Sequence, residues 1–116
     1  MSSRNVETRI RDILSAIDSI QQRTTGMDFE TFSENETIVK AVLYDLIIIG
    51  EAAINIPIEV QIRASEIPWR LMSDMRNIMA HEYFRVNLRV TWATIQNNLP
   101  PLIAPLRQLQ CDIQID

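Results

Sequence analysis

The chain has 116 residues, 47% hydrophobic and 22% charged, with a formal net charge of −4 and a single cysteine, Cys111. That composition is that of a soluble globular chain able to bury one core but not two, and its acidity argues against a protein that coats nucleic acid by bulk electrostatics. The longest purely apolar run, Leu46 to Ile49, is far too short to cross a bilayer, no N-terminal stretch resembles a signal peptide, and a lone thiol excludes an internal disulfide, so one cytoplasmic domain over residues 1–116 is expected.

Residues 4–24 read as the first helix: Val6, Ile10, Ile13, Leu14, Ile17 and Ile20 recur at three- and four-residue spacing, with Arg9, Arg11, Asp12 and Asp18 opposite. Thr24-Thr25-Gly26 ends it, and Asp28 can cap a short turn whose Phe29 and Phe32 fold back on the core. Ser33-Glu34-Asn35-Glu36 fits a capping box with Ser33 as N-cap. The second helix should then run to about Ile56 and stop at Pro57. Its centre, Leu43 to Ile49, is apolar nearly all round apart from Tyr44 and Asp45, a pattern that asks for cover on more than one side. Another subunit is the expected second cover.

Gly50 interrupts this helix at a cost of about 1 kcal/mol relative to alanine, which is easiest to explain if another backbone comes close there. Glu51 follows. Two readings of it stand: an exposed carboxylate, or a partly buried partner for an arginine or for His81.

Residues 57–67 form a connector with one helical turn near Ile58 to Ile62. Pro68 suits the first position of a third helix, which turns Trp69, Leu71, Met72, Met75, Ile78 and Met79 to the core. Asn87 can cap a fourth helix containing Val90, Trp92 and Ile95, and Pro100-Pro101 kinks a last segment continued by Leu102, Ile103, Leu106 and Leu109. No alternating run makes a strand. The predicted fold is all-α, a bundle of four or five mostly antiparallel helices.

Charge is unevenly spread. Residues 25–68 carry eight acids against two bases, whereas residues 69–90 carry Arg70, Arg76, Arg85 and Arg89 against Asp74 and Glu82. Ten of the eleven cations are arginine, whose planar fork suits phosphate and semi-buried carboxylate partners. An anionic ligand should therefore approach the second half of the chain.

Within that half lies Arg76-Asn77-Ile78-Met79-Ala80-His81-Glu82-Tyr83, which holds the only histidine. On an uninterrupted helix Arg76 and Tyr83 share one stripe, Asn77 and His81 the next. The octet combines a permanent cation, a group titrating near neutrality and a phenol. Other chemistries lack their parts. One histidine and one cysteine make no zinc site, two glycines make no phosphate loop, and no paired Asp-x-Asp carboxylates exist for a two-metal centre. No cofactor or metal is called for. Acid–base work falls to His81 if it is catalytic at all, and by spacing alone a solitary histidine near a helix end is more often structural than catalytic. Metal-free RNA cleavage needs little more, because the nucleophile is the substrate's own 2′-hydroxyl: a base, an acid and a cation at the phosphate suffice. One copy of His81 supplies one proton-transfer group, and a two-fold dimer supplies two.

The octet fits Arg-x4-His-x-Tyr, and Ile49-Gly50-Glu51-Ala52, Ile67-Pro68-Trp69, Met75-Arg76-Asn77 and Asn98-Leu99-Pro100-Pro101-Leu102 accompany it in order. Together these words, over roughly residues 4–110, resemble the HepT-type HEPN-domain toxins, partners of MNT nucleotidyltransferase antitoxins. The resemblance implies an HEPN-like helical homodimer acting as a metal-independent endoribonuclease toxin of a type II/VII-like toxin–antitoxin pair. It implies Arg76 and His81 as catalytic residues in a cleft on RNA, Asn77 as their support and Tyr83 as the position to which the antitoxin attaches AMP. Glu51 is assigned as a further support of Arg76 or His81. The alternative is a non-catalytic helical dimer serving as the binding subunit of a nucleotidyltransferase.

Overall fold

A computed structural model describes the backbone of residues 3–81 and 86–115 and the side chains of residues 6–76 and 86–113. Seven α-helices follow one another through these residues: α1 Ser3–Thr24, α2 Phe29–Glu34, α3 Glu36–Ile54, α4 Ile58–Arg63, α5 Trp69–His81, α6 Leu88–Ala93 and α7 Ile103–Ile115. A π-helical turn, Thr94–Asn98, and a 3-10 turn, Pro100–Leu102, link α6 to α7. No strand occurs among the described residues. The fold is all-α, with four long helices carrying the core and three of six residues joining them.

Periodicity explains the long helices. Val6, Ile10, Ile13, Ile17 and Ile20 of α1 are all buried and lie on one stripe. They meet Val42, Leu43, Leu46, Ile49 and Ala53 of α3, which packs on α1 along one side and on α5 along another. α7 closes against α1 through Leu106, Leu109 and Ile113. α3 is thus the central helix, and its nearly all-round apolar sequence follows from being covered twice within one chain.

Local chemistry sets the helix ends, and here one expectation is corrected. The N-cap of α3 is Asn35, whose side-chain oxygen accepts from the Ile38 amide at 3.1 Å. Ser33 is not the cap: it lies in the last turn of α2 and its hydroxyl donates to the Glu30 carbonyl. Glu36 is consequently the first residue of α3, too early to reach back across a capping box, and it pairs with Lys40 at 2.8 Å instead. Asp28 caps α2 through the Thr31 amide, and Asn87 caps α6 through the amides of Arg89 and Val90. α3 ends at Ile54, two residues before the expected limit, with the Asn55 side chain donating to the Glu51 carbonyl.

The connector into α5 is pinned by a buried hydrogen bond from the Trp69 indole to the Ala64 carbonyl at 3.1 Å. α5 starts at Trp69, immediately after Pro68, and buries Trp69, Met72 and Met75. Leu71 does not join them: it is 47% exposed. Its place in the sequence fits an apolar stripe, but among the described residues α5 packs chiefly on α3, and Leu71 falls outside that contact. The side chains of Ile78 and Met79 lie outside the described residues. Of the two early aromatics, Phe32 is fully buried against Trp92 with ring centroids 5.0 Å apart, while Phe29 is partly buried under the Arg89 guanidinium, 4.4 Å above its ring. These contacts fasten α2 to α6.

Candidate active site

α5 carries the arginine-to-histidine spacing on continuous helix. Arg76 and His81 both fall within Trp69–His81, and five residues of helix separate their backbones by about 7.5 Å along the axis. Asn77 and His81 are on the same helical backbone, about 6 Å apart along it. The side chains of Asn77 and His81 lie outside the described residues, and so does Tyr83 as a whole.

The helix opposite is α3, and its Gly50 lies against Arg76. A Cβ on Gly50 would overlap the Cβ of Arg76 and stand 2.7 Å from its amide nitrogen and 2.9 Å from its Cα, distances that ordinary side chains do not tolerate. The backbone brought close by Gly50 is therefore that of Arg76 itself.

Directly beside this contact, Arg76 Nε donates to Glu51 Oε2 at 3.0 Å. The arginine side chain is 34% exposed and the glutamate 51%. Both readings of Glu51 hold in part: its carboxylate is exposed, and it meets Arg76, 25 residues away in sequence. Such a pair does two things at an anion site. It orients the guanidinium plane, and it places a competing negative charge beside the cation.

A second polar feature lies between α1 and α3. Asp45 is only 9% exposed, in a shallow groove of about 300 Å³ lined with Asp12, Ser15, Ala16, Ser19 and Ile48. Burial pushes its carboxyl above the ordinary carboxylate range, against the opposing pull of a hydrogen bond from Ser19 and the nearby Arg23 charge. Arg23 Nε in turn donates to Ser19 Oγ at 3.2 Å. Asp45 stood out in the sequence as a break in an apolar run. Its partners did not, although Ser19 and Arg23 stand four apart on α1, the spacing that puts two residues on one helical face.

With this geometry in place, comparison with known proteins assigns the class. The chain belongs to the HepT-like ribonuclease family, whose description matches residues 13–109. A protein of Thermococcus cleftensis named "Probable ribonuclease HepT" is 39% identical over 101 residues, covering 87% of this chain and 92% of its own. A protein of Caldanaerobacter subterraneus subsp. tengcongensis with a provisional RNase name is 34% identical over 100 residues, covering 86% and 89%. A similarly named protein of Methanocaldococcus jannaschii is 32% identical over 114 residues, covering 98% of both chains. No solved structure matched the chain. No helix among the described residues is long and apolar enough to cross a membrane.

Proposed function

We propose that this protein is a metal-independent endoribonuclease that works as the toxin of a toxin–antitoxin pair. The observation that supports this best is the placing of the family's arginine and histidine on one helix, α5, with Arg76 already oriented by a carboxylate from α3.

In the reaction we infer, Arg76 holds a bridging phosphate of RNA in line for attack. One imidazole takes the proton from the neighbouring 2′-hydroxyl, whose oxygen bonds to phosphorus. The 5′-oxygen leaves and takes a proton from a second, protonated imidazole. The products are a 2′,3′-cyclic phosphate and a free 5′-hydroxyl, with no water consumed and no metal required. Two imidazoles come from two copies of His81 facing one cleft in a homodimer. Asn77 supports the pair of catalytic residues, and Glu51 supports Arg76 as the acceptor of its Nε–H. Tyr83 is the control point: an antitoxin of the nucleotidyltransferase class transfers AMP to its phenol oxygen, releasing pyrophosphate from ATP. The adenylate adds bulk and negative charge beside the cationic cleft and excludes RNA.

The test uses purified wild type, Arg76→Ala and His81→Ala, assayed on single-stranded RNA in the presence of a chelator. Wild type is expected to sediment as a dimer and cut RNA to fragments with cyclic phosphate ends. Each variant should keep its helicity and dimer mass and lose at least about a hundredfold in rate, the usual contribution of a proton-transfer group for His81 and of a charge-stabilising donor for Arg76. Cleavage by His81→Ala at the wild-type rate would overturn the enzymatic reading. A wild-type dimer that leaves RNA intact would favour the non-catalytic binding subunit instead.

A further inference from the structure

Gly50 is buried within α3, where glycine is unfavourable, and Cα, N and Cβ of Arg76 stand where its side chain would be. The base of the arginine side chain is therefore held against α3. Glu51 is the next residue of α3, its Cα about 3.8 Å from that of Gly50. The carboxylate and the guanidinium thus start from adjacent fixed points on two helices, and they meet at 3.0 Å although both are substantially exposed to water. Exposed pairs held by charge alone are weak and screened by salt. This one has a mechanical support.

We propose that Gly50 is a positioning residue for Arg76: by lacking a side chain it seats α5 on α3 backbone to backbone, so that helix contact, and not charge attraction, sets the Glu51–Arg76 geometry. Its consequence for cleavage rests on the nuclease reading above; its consequence for the geometry does not. With helix contact setting the pair, Glu51 can be changed to an uncharged acceptor without releasing Arg76. A methyl group at residue 50 instead pushes α5 outward and carries the guanidinium off its mark. The displacement such a clash requires is on the order of 1 Å, enough to cost about a hundredfold in rate when the displaced group holds a reacting phosphate.

The experiment follows the Nε–H proton of Arg76 by nuclear magnetic resonance on the intact protein, alongside RNA cleavage. In wild type and in Glu51→Gln the signal should remain slow to exchange, at low salt and at molar salt alike. In Gly50→Ala it should merge with those of solvated arginines, and cleavage should fall about a hundredfold. Leu109→Ala, which truncates a buried residue of α7 and supplies a comparable loss of stability away from the contact, should change neither. If Gly50→Ala fails to fold, the Glu51→Gln and salt arms, which leave the helix contact intact, decide between contact and charge. Collapse of the signal in Glu51→Gln or at molar salt, or its persistence in Gly50→Ala, would overturn the proposal. If wild type shows no cleavage while the signals behave as described, the nuclease reading falls and the role of Gly50 in placing Arg76 stands.

Discussion

Asp45 and Glu51 are two carboxylates of the same helix with opposite situations. Glu51 is half exposed and meets a cation at its edge, so it adds little to stability and its value lies in orienting Arg76. Asp45 is nine-tenths buried, and burial raises its carboxyl above 3.8. A group whose pKa is higher folded than unfolded binds protons more tightly in the folded state. Its favourable contribution is complete below 3.8 and is lost as pH rises through the folded-state value. Asp45→Asn removes the charge that burial disfavours. It should melt a few degrees higher than wild type at neutral pH, with the gap closing as the pH is lowered through the folded-state value towards 3.8. Thermal melts of both proteins across that range check it. A gap that widens on acidification would mean that the Arg23 charge outweighs burial at this site.

At the scale of elements, polar residues at helix starts were legible as caps, but which of several neighbours does the capping was not. Ser33 and Asn35 both have the chemistry, and they differ by two residues. The choice falls to Asn35 because the tail of α2 runs through Ser33 and occupies its hydroxyl with the Glu30 carbonyl. Asn35→Ala should therefore cost about 1 kcal/mol of stability, whereas Ser33→Ala should stay within about 0.5 kcal/mol. Urea unfolding of the two variants separates them. Equal losses would restore Ser33 as a partner of α3. Periodicity had a similar limit in α5. It identified Trp69, Met72 and Met75 as core, but it included Leu71, because a stripe drawn from spacing is wider than the arc a single neighbouring helix covers.

At the scale of the molecule, the chain leaves Tyr44 of α3 and Ile58 and Ile62 of α4 more than half exposed. Exposed apolar side chains beside a helix already covered on two sides support the proposed dimer, and with it a cleft shared by two copies of α5. In the proposed function, control of that cleft is also an assembly property, since the proposed modifying enzyme is a separate protein. Incubation with ATP and the partner nucleotidyltransferase should add one or more adenylates to the peptide containing Tyr83 and abolish cleavage. Tyr83→Phe should stay active and unlabelled under the same conditions. Mass spectrometry decides it: label retained by Tyr83→Phe would move the control point elsewhere.

By itself the sequence determined the fold class and the family. Helices announce themselves through the spacing of apolar residues, and the family through short words around Arg76 and His81, because both signals are carried by neighbours along the chain. The tertiary structure alone decided that Gly50 faces Arg76, that Glu51 pairs with it, that Asp45 is buried beside Ser19, and that Leu71 meets water. Those outcomes depend on how deeply one helix seats on another. That depth is set by atoms tens of residues apart, and no linear pattern records it.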